Sequence, residues 1–183
     1  MLFRSLPTPE VERLLQEQHG LDGPRAHAVA LAAEGSLSVA LVEASAEGDA
    51  TRQLVEQVLQ RVQSARTPGD RLQAASQLLE PGETPRPKGR TKSGTFSRAA
   101  SDRDLLGLRL GALGGMLRDI AATIAGAHQA RVTNDLSPAL QSWGARAGVD
   151  RLLAAFAAVG RAQAALDRNV SPKTIVDWLA FQL

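Results

Sequence analysis

The chain contains no cysteine, which excludes disulfides, thiolate nucleophiles and cysteine-bound metals. Tyrosine is absent too, and the aromatics are four Phe and two Trp in 183 residues. The apolar share of 44% therefore rests mainly on alanine and leucine, the composition of closely packed helices rather than of sheets. No alternating strand pattern is found. No apolar run approaches the roughly 18–20 residues of a membrane span. The opening "MLFRSLPTPEVERLL" lacks a signal-peptide core, because Pro7, Pro9 and Glu10 interrupt it. These absences predict a soluble, cytoplasmic, all-α chain.

Catalytic patterns are missing as well. His19, His27 and His128 show neither i,i+4 spacing nor an H-E-x-x-H setting, so no metal site is expected. There is no G-x-S-x-G, no P-loop and no dinucleotide fingerprint. Asp102 and Asp104 could be read as paired carboxylates. They fall, however, in the expected first turn of a helix beginning at Ser101, where the helix dipole favours negative charge. No catalytic residue and no cofactor is expected.

Helical signals fill most of the chain, about eight helices by period. Thr8-Pro9 reads as cap and first residue of a helix carrying Val11, Leu14 and Leu15, with Gly20 as a left-handed stop. A second helix is expected from about Pro24 to Glu34, ending at Gly35, and a third from Ser36. Asp49 is the expected cap of a helix with Leu54, Val55, Val58, Leu59 and Val62 on one face. Thr67-Pro68 opens another. The longest helix carries Leu106, Leu110, Leu113, Leu117, Ile120 and Ile124 at 4-3 spacing. Its Gly111, Gly114 and Gly115 suggest close approach by a neighbouring helix. Ser137-Pro138 starts a helix with Leu140 and Trp143. The next repeats the 4-3 stripe at Leu152, Phe156, Val159, Gln163 and Leu166. Asn169 ends it in a left-handed turn, and Ser171-Pro172 opens a last helix whose apolar face is Ile175, Trp178 and Leu179.

Between the fifth helix and the longest one lies "PGETPRPKGRTKSGTFSRAAS", expected to be a flexible linker over residues 81–100. Arg86, Lys88, Arg90, Lys92 and Arg98 fall there with no acid between Thr84 and Arg98. Without those five, the remaining basic residues are outnumbered by the 19 acidic ones, so the basic character is local. The tract reads either as a solvated linker or as a nucleic-acid contact neutralising phosphates.

"FRSLPTPEVERLL" (3–15), "ALAAEGSLSVALVEA" (30–44) and the pairing of "GMLRDIAATIAGA" with "ALDRNVSPKTIVDWLAFQL" resemble, in order and spacing, the carboxy-terminal part of bacterial clamp-loader subunits. The likeness is closest to the delta-prime type of DNA polymerase III. It implies a three-helix lid of the AAA+ kind over 1–47 and a helical-bundle collar domain over 48–183. It also implies a fragment, with a nucleotide-binding core preceding Met1. In catalytic subunits of such loaders the lid Gly-Ser is followed by one residue and then an arginine that reaches ATP phosphates. Gly35 and Ser36 match here, but the arginine position is Ser38, a degenerate sensor that lacks a charged bidentate donor. The resemblance thus implies a structural, non-ATPase subunit that helps load the sliding clamp on primed DNA in DNA replication. Its partners would be other clamp-loader subunits in a hetero-oligomeric collar. Two alternatives stay open: a tau/gamma-type fragment, and a free-standing helical interaction or DNA-binding protein using the 84–98 tract.

Overall fold

A computed structural model describes residues 6–33, 35–37, 40–41, 44–80, 95–127 and 136–183. Among them every regular element is helical: α1 (Thr8–His19), α2 (Gly23–Ala32), α3 (Ala46–Ser64), α4 (Pro68–Ser76), α5 (Thr95–Ile124), α6 (Pro138–Ala147), α7 (Val149–Asp167) and α8 (Pro172–Leu179). A 3-10 turn, Gln77–Leu79, continues α4. No helix among the described residues is long and apolar enough to cross a membrane.

The buried apolar residues form two clusters. Val11, Leu15, Ala26, Val29, Ala30, Ala33 and Ala40 make a small one under α1 and α2. The larger runs from Val55 to Leu183 and is built around α5, whose main partner is α7, with α3, α6 and the 3-10 turn on its other sides. The α5 stripe lies where its period predicts: Leu106, Leu110, Leu113, Leu117 and Ile120 are fully buried. The expected division at 47/48 falls inside the first turn of α3.

Several helix starts follow local chemistry that sequence reading placed elsewhere. Ser45, not Asp49, caps α3: its hydroxyl accepts from the Gly48 amide at 3.2 Å. Asp49 instead reaches back to Arg25 on α2, Nη2 to Oδ2 2.9 Å. Pro7 rather than Thr8 precedes α1, so Thr8 is itself helical. Asp22 caps α2 by accepting from the Arg25 amide at 2.8 Å. At Thr67 the expected cap is a full capping box with Asp70. The longest helix starts at Thr95, six residues before the predicted cap Ser101. The run Arg98-Ala99-Ala100 favours helix intrinsically and carries the pattern on without a stop. Asp102 and Asp104 therefore sit within the helix on its exposed side, not in its first turn. Residues 95–100 of the predicted linker are thus helical, and 81–94 lie outside the described residues.

Two apolar stripes also needed correction. On α7 the buried face is Leu152, Ala155, Ala158, Val159, Ala162 and Leu166, whereas Phe156 and Gln163 are exposed. The alanines let α7 approach α5 closely, and a phenylalanine at that depth would hold the helices apart. On α8 the buried residues are Ile175, Val176 and Leu179, while Trp178 turns outward beneath the Arg161 guanidinium, 5.6 Å from its ring centre.

Of the glycines in α5, a side chain at Gly114 would touch Val159 and Phe156, but Gly111 and Gly115 have nothing within 4 Å. The closest approach in the bundle is at Gly144 of α6, where a Cβ would collide with the Ile120 Cγ2 methyl.

Candidate functional site

The Gly35-Ser36 joint is built for chain reversal. Gly35 has φ 86°, a left-handed value at which any larger residue is strained. Its carbonyl accepts from the Leu6 amide at 2.9 Å, so the joint clasps the segment leading into α1. The Ser36 amide donates to Ala33 O at 2.8 Å, and Ser36 O accepts from the Ala40 amide at 3.0 Å. The Ser36 amide is thus bonded within the chain rather than turned to an anion. Ser38 lies outside the described residues, as do Arg86, Lys88, Arg90 and Lys92 of the basic tract. Arg98 belongs to the first turn of α5.

Of the histidines, His27 Nδ1 lies 2.8 Å from Glu12 Oε2, joining α2 to α1. His19 is in the last turn of α1, and His128 lies outside the described residues. Among the described residues no group of three or more His, Asp or Glu is placed to hold a metal ion.

The most deliberate polar constructions lie along α5. Arg109 is buried, and its Nη1 donates to Leu78 O at 2.8 Å and Glu80 O at 2.7 Å. These carbonyls end the α4 and 3-10 segment, where the orphan acceptors and negative dipole end favour a cation. Burial lowers the Arg109 pKa from its ordinary value, and the nearby Glu80 charge partly opposes that shift. The guanidinium stays charged at any physiological pH. Arg103 does the same work for α7. Its Nη1 donates to Asn169 Oδ1 at 2.7 Å and its Nη2 to Val170 O at 2.8 Å. Asn169 has the predicted left-handed conformation, φ 64°. Asp119 is also buried, its carboxylate 3.7 Å from Arg118 Nε and its carbonyl accepting from Thr123 Oγ1 at 2.7 Å. Arg103 and Arg109 thus hold neighbouring segments against α5, while these contacts of Asp119 lie within α5 itself.

The outer faces of α7 and α8 differ in kind. Leu153 and Phe156 are 53% and 44% exposed, and Trp178 and Phe181 39% and 50%. Large apolar side chains grouped on consecutive helices mark association surfaces more often than scattered ones do.

The chain matches no family model, no curated protein and no solved structure.

Sequence reading missed Arg103, Arg109 and the outward aromatics. Arg109 left a signal: it stands three residues after Leu106 and four before Leu113, so a charge falls on the face that must be buried. The outward turn of Phe156 and Trp178 left none, because their spacing equals that of core positions.

Proposed function

We propose that this chain is a non-catalytic structural element of a clamp loader, the lid and collar part of a delta-prime-type subunit. It would serve a DNA polymerase III holoenzyme by helping to place the sliding clamp on primed DNA. The observation that carries an assembly role is the exposed apolar set of Leu153 and Phe156 on α7, Trp178 on α8 and Phe181 just beyond it. Large apolar side chains left exposed on the outside of a packed bundle fit a surface that meets another molecule. The resemblance of the lid and closing segments supplies the kind of assembly. The use of Arg103 and Arg109 to bind backbone carbonyls within the chain supports a rigid body rather than a reaction centre.

The test is association. Mixed with the other subunits of a loader, the chain is expected to co-elute in a defined hetero-oligomer, and L153E/F156E to remain apart while keeping its helical circular dichroism. A chain that stays monomeric with all subunits present refutes the collar role. DNA binding that weakens steeply with salt and vanishes when the five cations of 84–98 are neutralised would favour the free-standing DNA-binding alternative.

A further inference from the structure

The corner between α3 and α4 holds a feature that neither the lid nor the collar reading uses. An open cleft of about 410 Å³ lies there, walled by Arg61 and Ser64 at the end of α3, Arg66 in the connecting turn, and Asp70, Gln73 and Gln77 along α4. Several other arginines are engaged: Arg25 pairs with Asp49, Arg103 and Arg109 bind helix-end carbonyls, and Arg161 covers Trp178. What sets Arg61 and Arg66 apart from exposed arginines such as Arg146 and Arg151 is that they line one cleft. Among the described residues, the guanidinium groups of Arg61 and Arg66 have no hydrogen bond and no ion pair. The one carboxylate in the cleft is committed, since Asp70 Oδ2 accepts from the Thr67 amide at 3.0 Å in the capping box. Ser64 is committed too, its hydroxyl donating to Arg61 O at 3.2 Å. The side-chain amides of Gln73 and Gln77 have no partner among the described residues.

We infer that this cleft binds a phosphate group, held by Arg61 and Arg66 with Gln73 and Gln77 as neutral donors. Two planar guanidiniums supply more donors than a carboxylate has oxygens, whereas a phosphate can accept from several directions and carries up to two negative charges. Asp70 is one carboxylate against two guanidiniums in the lining, so the cleft stays net positive. The cleft volume exceeds one phosphate and falls in the range of small-ligand sites. The phosphate can therefore belong to a free phosphorylated molecule or to a nucleic-acid backbone.

The full chain is titrated with inorganic phosphate and, separately, with a single-stranded oligonucleotide of about ten nucleotides, following the arginine Nε–H resonances. Saturation by inorganic phosphate identifies a free phosphate group. A response to the oligonucleotide alone, weakening with salt, identifies a polynucleotide backbone. In either case R61Q/R66Q is expected to weaken binding about tenfold or more, and R146Q/R151Q, with the same loss of charge, to leave it unchanged. All four arginines are exposed, and an unchanged melting temperature confirms that the variants fold. The proposal is overturned by no response to either probe, or by equal loss in the R146Q/R151Q control. Oligonucleotide binding that survives R61Q/R66Q and disappears only when the 84–98 cations are neutralised overturns it as well. None of these outcomes depends on loader subunits, so the result is independent of the association test.

Discussion

Arg109 shows how one residue decides whether two elements can share a core. A guanidinium in an apolar interior costs several kcal/mol unless its hydrogen bonds are made. Here Nη1 makes them, to carbonyls at the end of the α4 and 3-10 segment, while Nε is buried without a partner. Arg109→Ala is expected to destabilise the chain by about 3 kcal/mol, the loss of charge-assisted hydrogen bonds plus the cost of orphaned carbonyls. Denaturant unfolding checks this: the midpoint should fall with an unchanged slope. Gly144 is a steric counterpart. Its missing Cβ leaves room for the Ile120 branch methyl, and Ile120 is itself fully buried on α5. Gly144→Ala gains about 1 kcal/mol of helix propensity, but overpacking of a fixed β-branched side chain costs about 1–3 kcal/mol. A net fall in melting temperature is expected; a rise would show that α6 can move outward freely. The two residues differ in legibility. Arg109 breaks an apolar period and could be noticed in the sequence, whereas the need for glycine at 144 arises from the crossing of α5 and α6.

At the scale of elements, period proved a better guide than boundary. The α5 stripe is buried as its 4-3 spacing requires, and Gly20 and Asn169 take the left-handed conformations expected of helix stops. Starts were harder to place, because several residue types able to cap lie within a few positions of each other. Ser45 wins over Asp49 for α3, and no cap at Ser101 interrupts α5. Alanine blurred the α7 face: Ala155, Ala158 and Ala162 are buried, but alanine occurs on every side of that helix, so its pattern carries little information. Gly111 and Gly115 give this scale its prediction. Neither has a heavy atom within 4 Å of an added Cβ, and neither needs a positive φ. Packing among the described residues therefore does not explain them. Gly111→Ala and Gly115→Ala are each expected to stabilise it by about 0.5–1 kcal/mol, read as a rise in melting temperature. A loss would mean that the face of α5 around them is already filled.

For the whole molecule the governing fact is that two apolar clusters of unequal size share one chain. All-α architecture was legible from composition and period, since alanine and leucine at helical spacing leave no other way to bury the apolar surface. The surfaces that meet other molecules were not, because exposure of Leu153 or Trp178 is a property of the assembled bundle. Among the described residues the N-terminal cluster is mostly alanine, with Val11, Leu15 and Val29 its larger buried side chains and Leu6, Leu21, Leu37 and Leu41 partly buried against it. A core of this size is marginal by surface-to-volume scaling. Among the described residues it is tied to α3 by the Arg25–Asp49 pair, about half exposed at both ends, and such pairs are worth about 0–1 kcal/mol. That tie is too weak to make the two clusters unfold together, so α1 and α2 should open at lower free energy than α5 and α7. Leu15→Ala tests this. Leu15 is fully buried, and its truncation costs about 2–5 kcal/mol, enough to exhaust a small local stability. Native-state hydrogen exchange should show amide protection in α1 and α2 collapsing, while the amides of α5 and α7 exchange as before. Equal loss across all four helices would mean that the chain unfolds as one cooperative unit. The smaller cluster would then draw its stability from the bundle rather than from its own few buried side chains.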